Sequence, residues 1–373
     1  MKKTNPIIAA VMALGLAGAA QAQSSLTLYG SIDQYFNHMT SSSGAKLNTL
    51  QDGKDLRSRL GFRGVEDLGG GLSAKFQLEM GIAAVTGATA DASRAFDRQS
   101  WVGLADSSLG EVRIGRQNTA IFYRGDYIDY TSRTLGSIVN NFGVPSRFDN
   151  DVSYISPRWA GLQLEGHFAQ QQASTTTAQV STPITQLAAD YLNGPFRVGY
   201  AGLQAKAPQN AAINANVFYH NLYANYDYGK GKVYAVYIKS NNIASSANGN
   251  NAAQVLGNVG GAVNWTSASV NRTFDVFQVS ADYNVTPQLR VGALYGRISD
   301  KSGAGQNANG GSIGAYYALS KRTTLSALWE TMRNDTNAGF RPSGSAGLSP
   351  NFAGTDVNGR TISGFQVGVV HRF

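Results

Sequence analysis

Phe277-Gln278-Val279-Ser280-Ala281-Asp282-Tyr283-Asn284-Val285 alternates apolar and polar side chains without a break. Successive side chains on a strand point to opposite faces, so this stretch predicts a β-strand with one greasy and one wet face. The same period-two rhythm runs through Leu72–Met80, Leu289–Tyr295, Ile313–Leu319 and Phe365–Phe373. Alternation alone fits two architectures. A soluble sandwich turns the apolar face inward, and a membrane barrel turns it outward to lipid around a wet interior.

The context favours the membrane. The alternating segments run for about 9–13 residues, enough for a tilted strand to cross a bilayer and longer than the five or six residues usual in soluble sheets. Tight connections (Asp67–Gly70, Gly229–Gly231, Thr286-Pro287, Lys321-Arg322) alternate with long ones near 38–55, 117–147, 243–271 and 335–361. Aromatic residues such as Tyr226, Tyr228, Trp329 and Phe373 gather near predicted strand ends, as in an interfacial girdle. The chain holds 43 Gly, 18 Tyr and 16 Phe against 9 Pro, and only 14 % of its residues are charged, which suits sheet and is low for a soluble surface. An open sheet would leave edge amides and carbonyls unpaired in hydrocarbon, so the first and last strands must pair. The expected fold is therefore all-β: an antiparallel transmembrane β-barrel of about 16 strands, an even number, wide enough for a water-filled lumen.

Ahead of the barrel, Lys2 and Lys3 followed by the apolar run Ile7–Ala20 and Ala20-Gln21-Ala22 predict a secretory leader over residues 1–22. Cleavage is expected between Ala22 and Gln23, leaving one domain over 23–373. No cysteine is present, so neither a disulfide nor a thiolate metal site is expected. The net charge of +8 comes without a Lys/Arg-rich run beyond residue 3, and no nucleic-acid motif accompanies it. His38, His167, His220 and His371 are scattered outside any zinc-hydrolase or serine-hydrolase pattern, so no catalytic residue, metal or cofactor is expected. Gly69-Gly70-Gly71 lacks a following Gly-Lys-Ser/Thr and a helix, and reads as a turn.

Several stretches together resemble the Gram-negative general porins, particularly the beta-proteobacterial type. They are Leu26-Thr27-Leu28-Tyr29-Gly30, the run Ser58–Leu72, Gly110–Arg116, Leu319–Thr323 and Val367–Phe373. The resemblance implies an outer-membrane homotrimer of 16-stranded barrels that passes small hydrophilic solutes and ions. It further implies a third extracellular loop, here residues 117–147, folded into the lumen opposite a basic wall. Motif by motif, the wall arginines match Arg59, Arg98 and Arg147, and the acidic side is expected from Asp126 and Asp129. Parity agrees for Arg59, which shares the face of Arg57 and Arg63 away from Leu60 and Phe62. For Arg98 it is ambiguous, because the apolar Val102 and Leu104 share its parity. Ser31 stands where some relatives carry a lysine.

Three arginines against at most two aspartates predict a modest anion preference. Phe373 resembles the C-terminal signal read by the barrel-assembly machinery, and lipid and lipopolysaccharide are the expected surroundings. Two alternatives follow from the same features: a substrate-selective porin, or an adhesin or antigen displayed on the 243–271 and 335–361 loops.

Overall fold

A computed structural model describes residues 24–170, 183–206, 216–242, 272–345 and 350–373. The predicted leader with its Ala22–Gln23 cleavage point and the connection 243–271 lie outside the described residues. The strands run in chain order as β1 (Ser25–Ser41), β2 (Lys46–Asp52), β3 (Arg59–Gly69), β4 (Leu72–Ala83), β5 (Ala88–Thr89), β6 (Gln99–Asp106), β7 (Gly110–Asn118), β8 (Arg147–Ile155) and β9 (Leu162–Gln170). They continue as β10 (Pro183–Asn193), β11 (Phe196–Ala205), β12 (Val217–Asp227), β13 (Lys232–Asn242), β14 (Arg272–Asn284), β15 (Leu289–Asp300), β16 (Ala308–Ala318), β17 (Thr323–Asn334) and β18 (Thr361–Arg372).

Sixteen of these form one closed antiparallel wall; β2 and β5 are additions to it. β1 pairs with β18 from Ser31↔Arg372 to Ser41↔Ile362, which closes the ring. The seam is finished by Gly30 and Phe373, whose backbones exchange hydrogen bonds of 3.0 and 3.1 Å. A Cβ on Gly30 would stand 2.5 Å from the Phe373 ring and 2.6 Å from the Arg59 carbonyl oxygen, so the Tyr-Gly of the opening motif is a close-approach requirement of the seam.

The faces are inverted relative to a soluble protein. On β14, Phe277 is 54 % exposed while its neighbour Gln278 is fully buried. Outward Leu104, Ile114, Leu187, Ile313, Val367 and Phe76 repeat the pattern around the wall. Only a hydrocarbon surround makes such a surface favourable. Two placements differ from the sequence expectation. Residues 38–41 and 46–52, expected within a long loop, are strand: the upper part of β1 pairs with β2 from Gln34↔Asp52 to Thr40↔Lys46. Trp329 faces outward from the middle of β17 and not from a strand end.

Parity also fails to predict a polar interior over β11–β16. There the inward side chains Leu203, Tyr219, Val236, Ile238, Phe274 and Leu294 are buried and apolar. The cover is the connection between β7 and β8, which carries helices α1 (Ala120–Tyr123) and α2 (Ile138–Phe142). Its Ile121, Ile128, Leu135, Ile138, Val139 and Phe142 join those wall residues in one core inside the barrel. Phe142 packs against Phe274 and Tyr219 with ring centroids 5.8 and 6.4 Å apart. Each fully buried side chain of this size contributes about 1.5–3 kcal/mol, so the loop is bound to the wall as firmly as a domain core.

An outward-facing charge tests the inverted faces. Val279→Arg is expected to cost about 2–4 kcal/mol, the penalty for arginine near the bilayer mid-plane, read as a lower urea midpoint for refolded protein in lipid vesicles.

Candidate pore constriction

The polypeptide enters the lumen through a local break in the β7 ladder. Gly115 has φ +134°, and a Cβ there would lie 2.3 Å from the Ser100 carbonyl oxygen. The β7–β8 register slips between Gly115 and Gln117. This bulge turns Arg116 inward, although Val112 and Ile114 share its parity and face out. Its Nε donates to the Asp97 carbonyl oxygen at 2.6 Å and its Nη1 to Asp149 at 2.5 Å.

Beyond the bulge, Thr119 caps α1 by accepting from the Phe122 amide at 2.9 Å. The Ala120 amide donates to Gln186 of the wall at 3.1 Å. Arg124, buried, pairs with Glu165 of β9. Glu165 and Asp151 hold the two ring nitrogens of His167 at 2.8 and 2.7 Å. His167 is thus a structural link in the anchoring of the loop.

A cavity of about 400 Å³ lies between the loop and the β3–β8 wall. Arg57, Arg59, Arg98, Arg116, Arg133 and Arg147 line it, against Asp55, Asp97 and Asp126. The three arginines predicted from the sequence are thus brought together, and Asp126 faces them from the loop. Arg98 lies one residue before β6 and points inward, which resolves its ambiguous parity.

The arginines are not bare. Glu79 on β4 takes Arg98 Nε at 2.5 Å and lies 3.7 Å from Arg59, and accepts from the Tyr29 hydroxyl at 2.9 Å. Glu79 shares the inward parity of Lys75 and Gln77, so its facing was readable from the sequence; its pairing with two arginines needed the register of β3 and β4. Arg147 makes no ion pair among the described residues; its guanidinium carbon sits 5.0 Å from the Phe122 ring centroid, and that of Arg133 4.2 Å from the same ring.

Asp129 departs from the expected arrangement. It is buried and does not line the cavity. One carboxylate oxygen accepts from the Thr131 amide at 2.9 Å, the Thr131 hydroxyl at 2.7 Å and the Arg133 amide at 3.0 Å. The other accepts from Ser137 at 2.7 Å and from Gln278 of β14 at 2.9 Å. Those bonds hold Ser132 and Arg133 at φ 58°, a left-handed turn that side chains other than glycine rarely adopt. The turn delivers Arg133 to the cavity, so the loop contributes a cation as well as Asp126. Burial pulls Arg133 down from the ordinary arginine range, with Tyr219 and Asp126 opposing; an arginine's intrinsic basicity still leaves it charged.

The sequence and the fold both match known proteins. The Gram-negative porin family pattern covers residues 8–337. The chain belongs to the Gram-negative porin family. An outer membrane porin protein of Bordetella pertussis is 31 % identical, over 90 % of this porin and 95 % of that protein. Among solved structures, an anion-selective porin from Comamonas acidovorans superposes with a TM-score of 0.76 at 25 % identity, covering 94 % of this porin and all of that chain. The trimer form of OmpT of Vibrio cholerae shares the fold, with a TM-score of 0.64 at 14 % identity over 94 % of this porin and 99 % of that chain. This porin is a channel of the Gram-negative outer membrane.

The two loop aspartates should separate on substitution. Asp129→Ala leaves buried donors unpaired at about 1–3 kcal/mol each, and single-channel recordings should show higher conductance and a noisier open state. Asp126→Asn should leave the open level quiet and move selectivity further toward anions.

Proposed function

We propose that this porin is a trimeric diffusion channel with a modest anion preference, set where Arg59, Arg98 and Arg147 face Asp126. The observation that carries the reading is the charge of the cavity lining, six arginines against three aspartates. Asp97 is already engaged by the Gly81 amide at 2.6 Å, and Asp55 by Lys54 at 2.7 Å. Asp126 is left as the exposed acid on the loop face. A passing anion then meets an excess of guanidinium groups, while the low-dielectric wall and the packed loop focus their field across the lumen.

Arginine serves this role because it keeps its charge even beside other cations. Solutes move down their own gradients, with no bond made or broken and no cofactor. The trimer is supported by the trimeric relative of the same fold.

A unit charge about 8 Å from a passing ion in water contributes about 0.5 kcal/mol, cut to about half of that by salt at about 0.1 M; because it acts with opposite signs on an anion and a cation, their permeability ratio shifts by a factor of about two. Arg59→Ala, Arg98→Ala and Arg147→Ala are each expected to lower the anion-to-cation permeability ratio by about that factor, measured as reversal potential in planar bilayers under a salt gradient. Unchanged reversal potentials in all three would refute the assignment.

A further inference from the structure

One side of the cavity is built by neither the wall strands nor the β7–β8 loop. Residues 53–58, which join β2 to β3, supply Asp55, Leu56 and Arg57 to its lining. The segment is bonded to four separate parts of the barrel. The Asp55 and Leu56 amides both donate to Asp33 of β1 at 2.7 Å. Ser326 of β17 donates to Asp55 at 3.1 Å. The Leu135 amide of the constriction loop donates to the Lys54 carbonyl at 3.3 Å. From the β17–β18 connection, the Ser345 amide donates to Gly53 at 2.8 Å, and the Arg57 amide donates back to the Ser345 hydroxyl at 3.0 Å.

Lys54 is the anchor of this segment. Its side chain has no exposure, its Nζ lies 2.7 Å from Asp55 and 5.0 Å from the ring centroid of Tyr316 on β16. Withdrawing an ammonium from water is costly unless it is paired, so a lysine in this setting marks a position that the surroundings enforce. Arg57, three residues on, is steered into the cavity beside Arg98 and Asp97. Gly81 makes room for it, since a Cβ there would stand 2.9 Å from Arg57 Nε. That Nε is buried without a hydrogen-bond partner.

We propose that residues 53–58 are a second jaw of the constriction, with Arg57 as its selectivity-determining cation and Lys54 as the residue that positions it. The inference rests on reading the cavity as the selective constriction, and it adds a determinant outside the Arg59, Arg98 and Arg147 set. The β7–β8 loop and the β3–β8 wall then face each other across the aperture, and a six-residue brace closes a further side.

Reversal potential and single-channel conductance of the full-length porin in potassium chloride gradients test this, with Arg57→Ala, Arg57→Lys and Lys54→Met measured beside Arg98→Ala. Arg57→Ala should lower the anion-to-cation permeability ratio about twofold, and Arg57→Lys should restore most of it. Lys54→Met should lower the ratio and raise conductance although Arg57 is still present; wild-type values there would overturn the positioning role. If Arg57→Ala keeps the wild-type ratio while Arg98→Ala lowers it, the second jaw is wrong and the constriction stands. If both keep it, both readings fall. A lysine variant as defective as the alanine one would also overturn the claim, because the effect would then be packing and not charge. The Arg57 pair decides the matter even where Lys54→Met fails to assemble.

Discussion

Backbone amides and carbonyls cannot be left unpaired in hydrocarbon, and the rest of the molecule follows from meeting that demand with strands. Pairing β1 with β18 along eleven residue pairs leaves no open edge among the described wall strands. Once the ring is closed, alternation sorts the side chains: Phe277 and Val367 go to lipid, Gln278 and Gln366 to the interior. The seam needs the ring of Phe373 to lie over Gly30, which ties the last residue to a glycine in the opening motif.

A ring of sixteen strands encloses more space than a selective channel needs, and the porin fills it with its own chain. The β7–β8 loop covers the apolar inner face of β11–β16, so one part of the barrel interior is dry core. The opposite part, lined from β3 to β8 and by residues 53–58, stays polar and carries the arginines. Charged groups on an apolar-backed loop therefore face a charged wall across the cavity. Asp129 contributes by holding the strained Ser132–Arg133 turn.

Much of this is legible in the sequence alone. Strict alternation, strand length and the order of tight and long connections led to a sixteen-stranded barrel, because period two is written directly into the sequence. Arg59, Arg98 and Arg147 came through motif resemblance, and period two supported the inward facing of Arg59 alone. What escaped were places where period two breaks or where contacts join distant strands. Arg116 turns inward only because of the Gly115 bulge. The upper part of β1 and β2 looked like loop because their polar, glycine-flanked sequence pairs locally. Asp129 was expected in the aperture, yet an aspartate two residues before a threonine can equally accept backbone amides, and burial decided for that. The pairing of Glu79 with two arginines and the seat of Lys54 against Tyr316 join distant parts of the chain, which no local pattern encodes.

Apolar side chains face lipid around an interior whose open part is wet and carries the arginines. Because the sequence contains no cysteine, single cysteines report on each face without interference. The direct measurement is labelling of Val279→Cys and Arg63→Cys in reconstituted vesicles with a charged, water-soluble maleimide and with a lipid-soluble one. Arg63→Cys is expected to react with the water-soluble reagent and Val279→Cys only with the lipid-soluble one. Fast reaction of Val279→Cys with the charged reagent, together with protection of Arg63→Cys, would mean that the faces are the other way round.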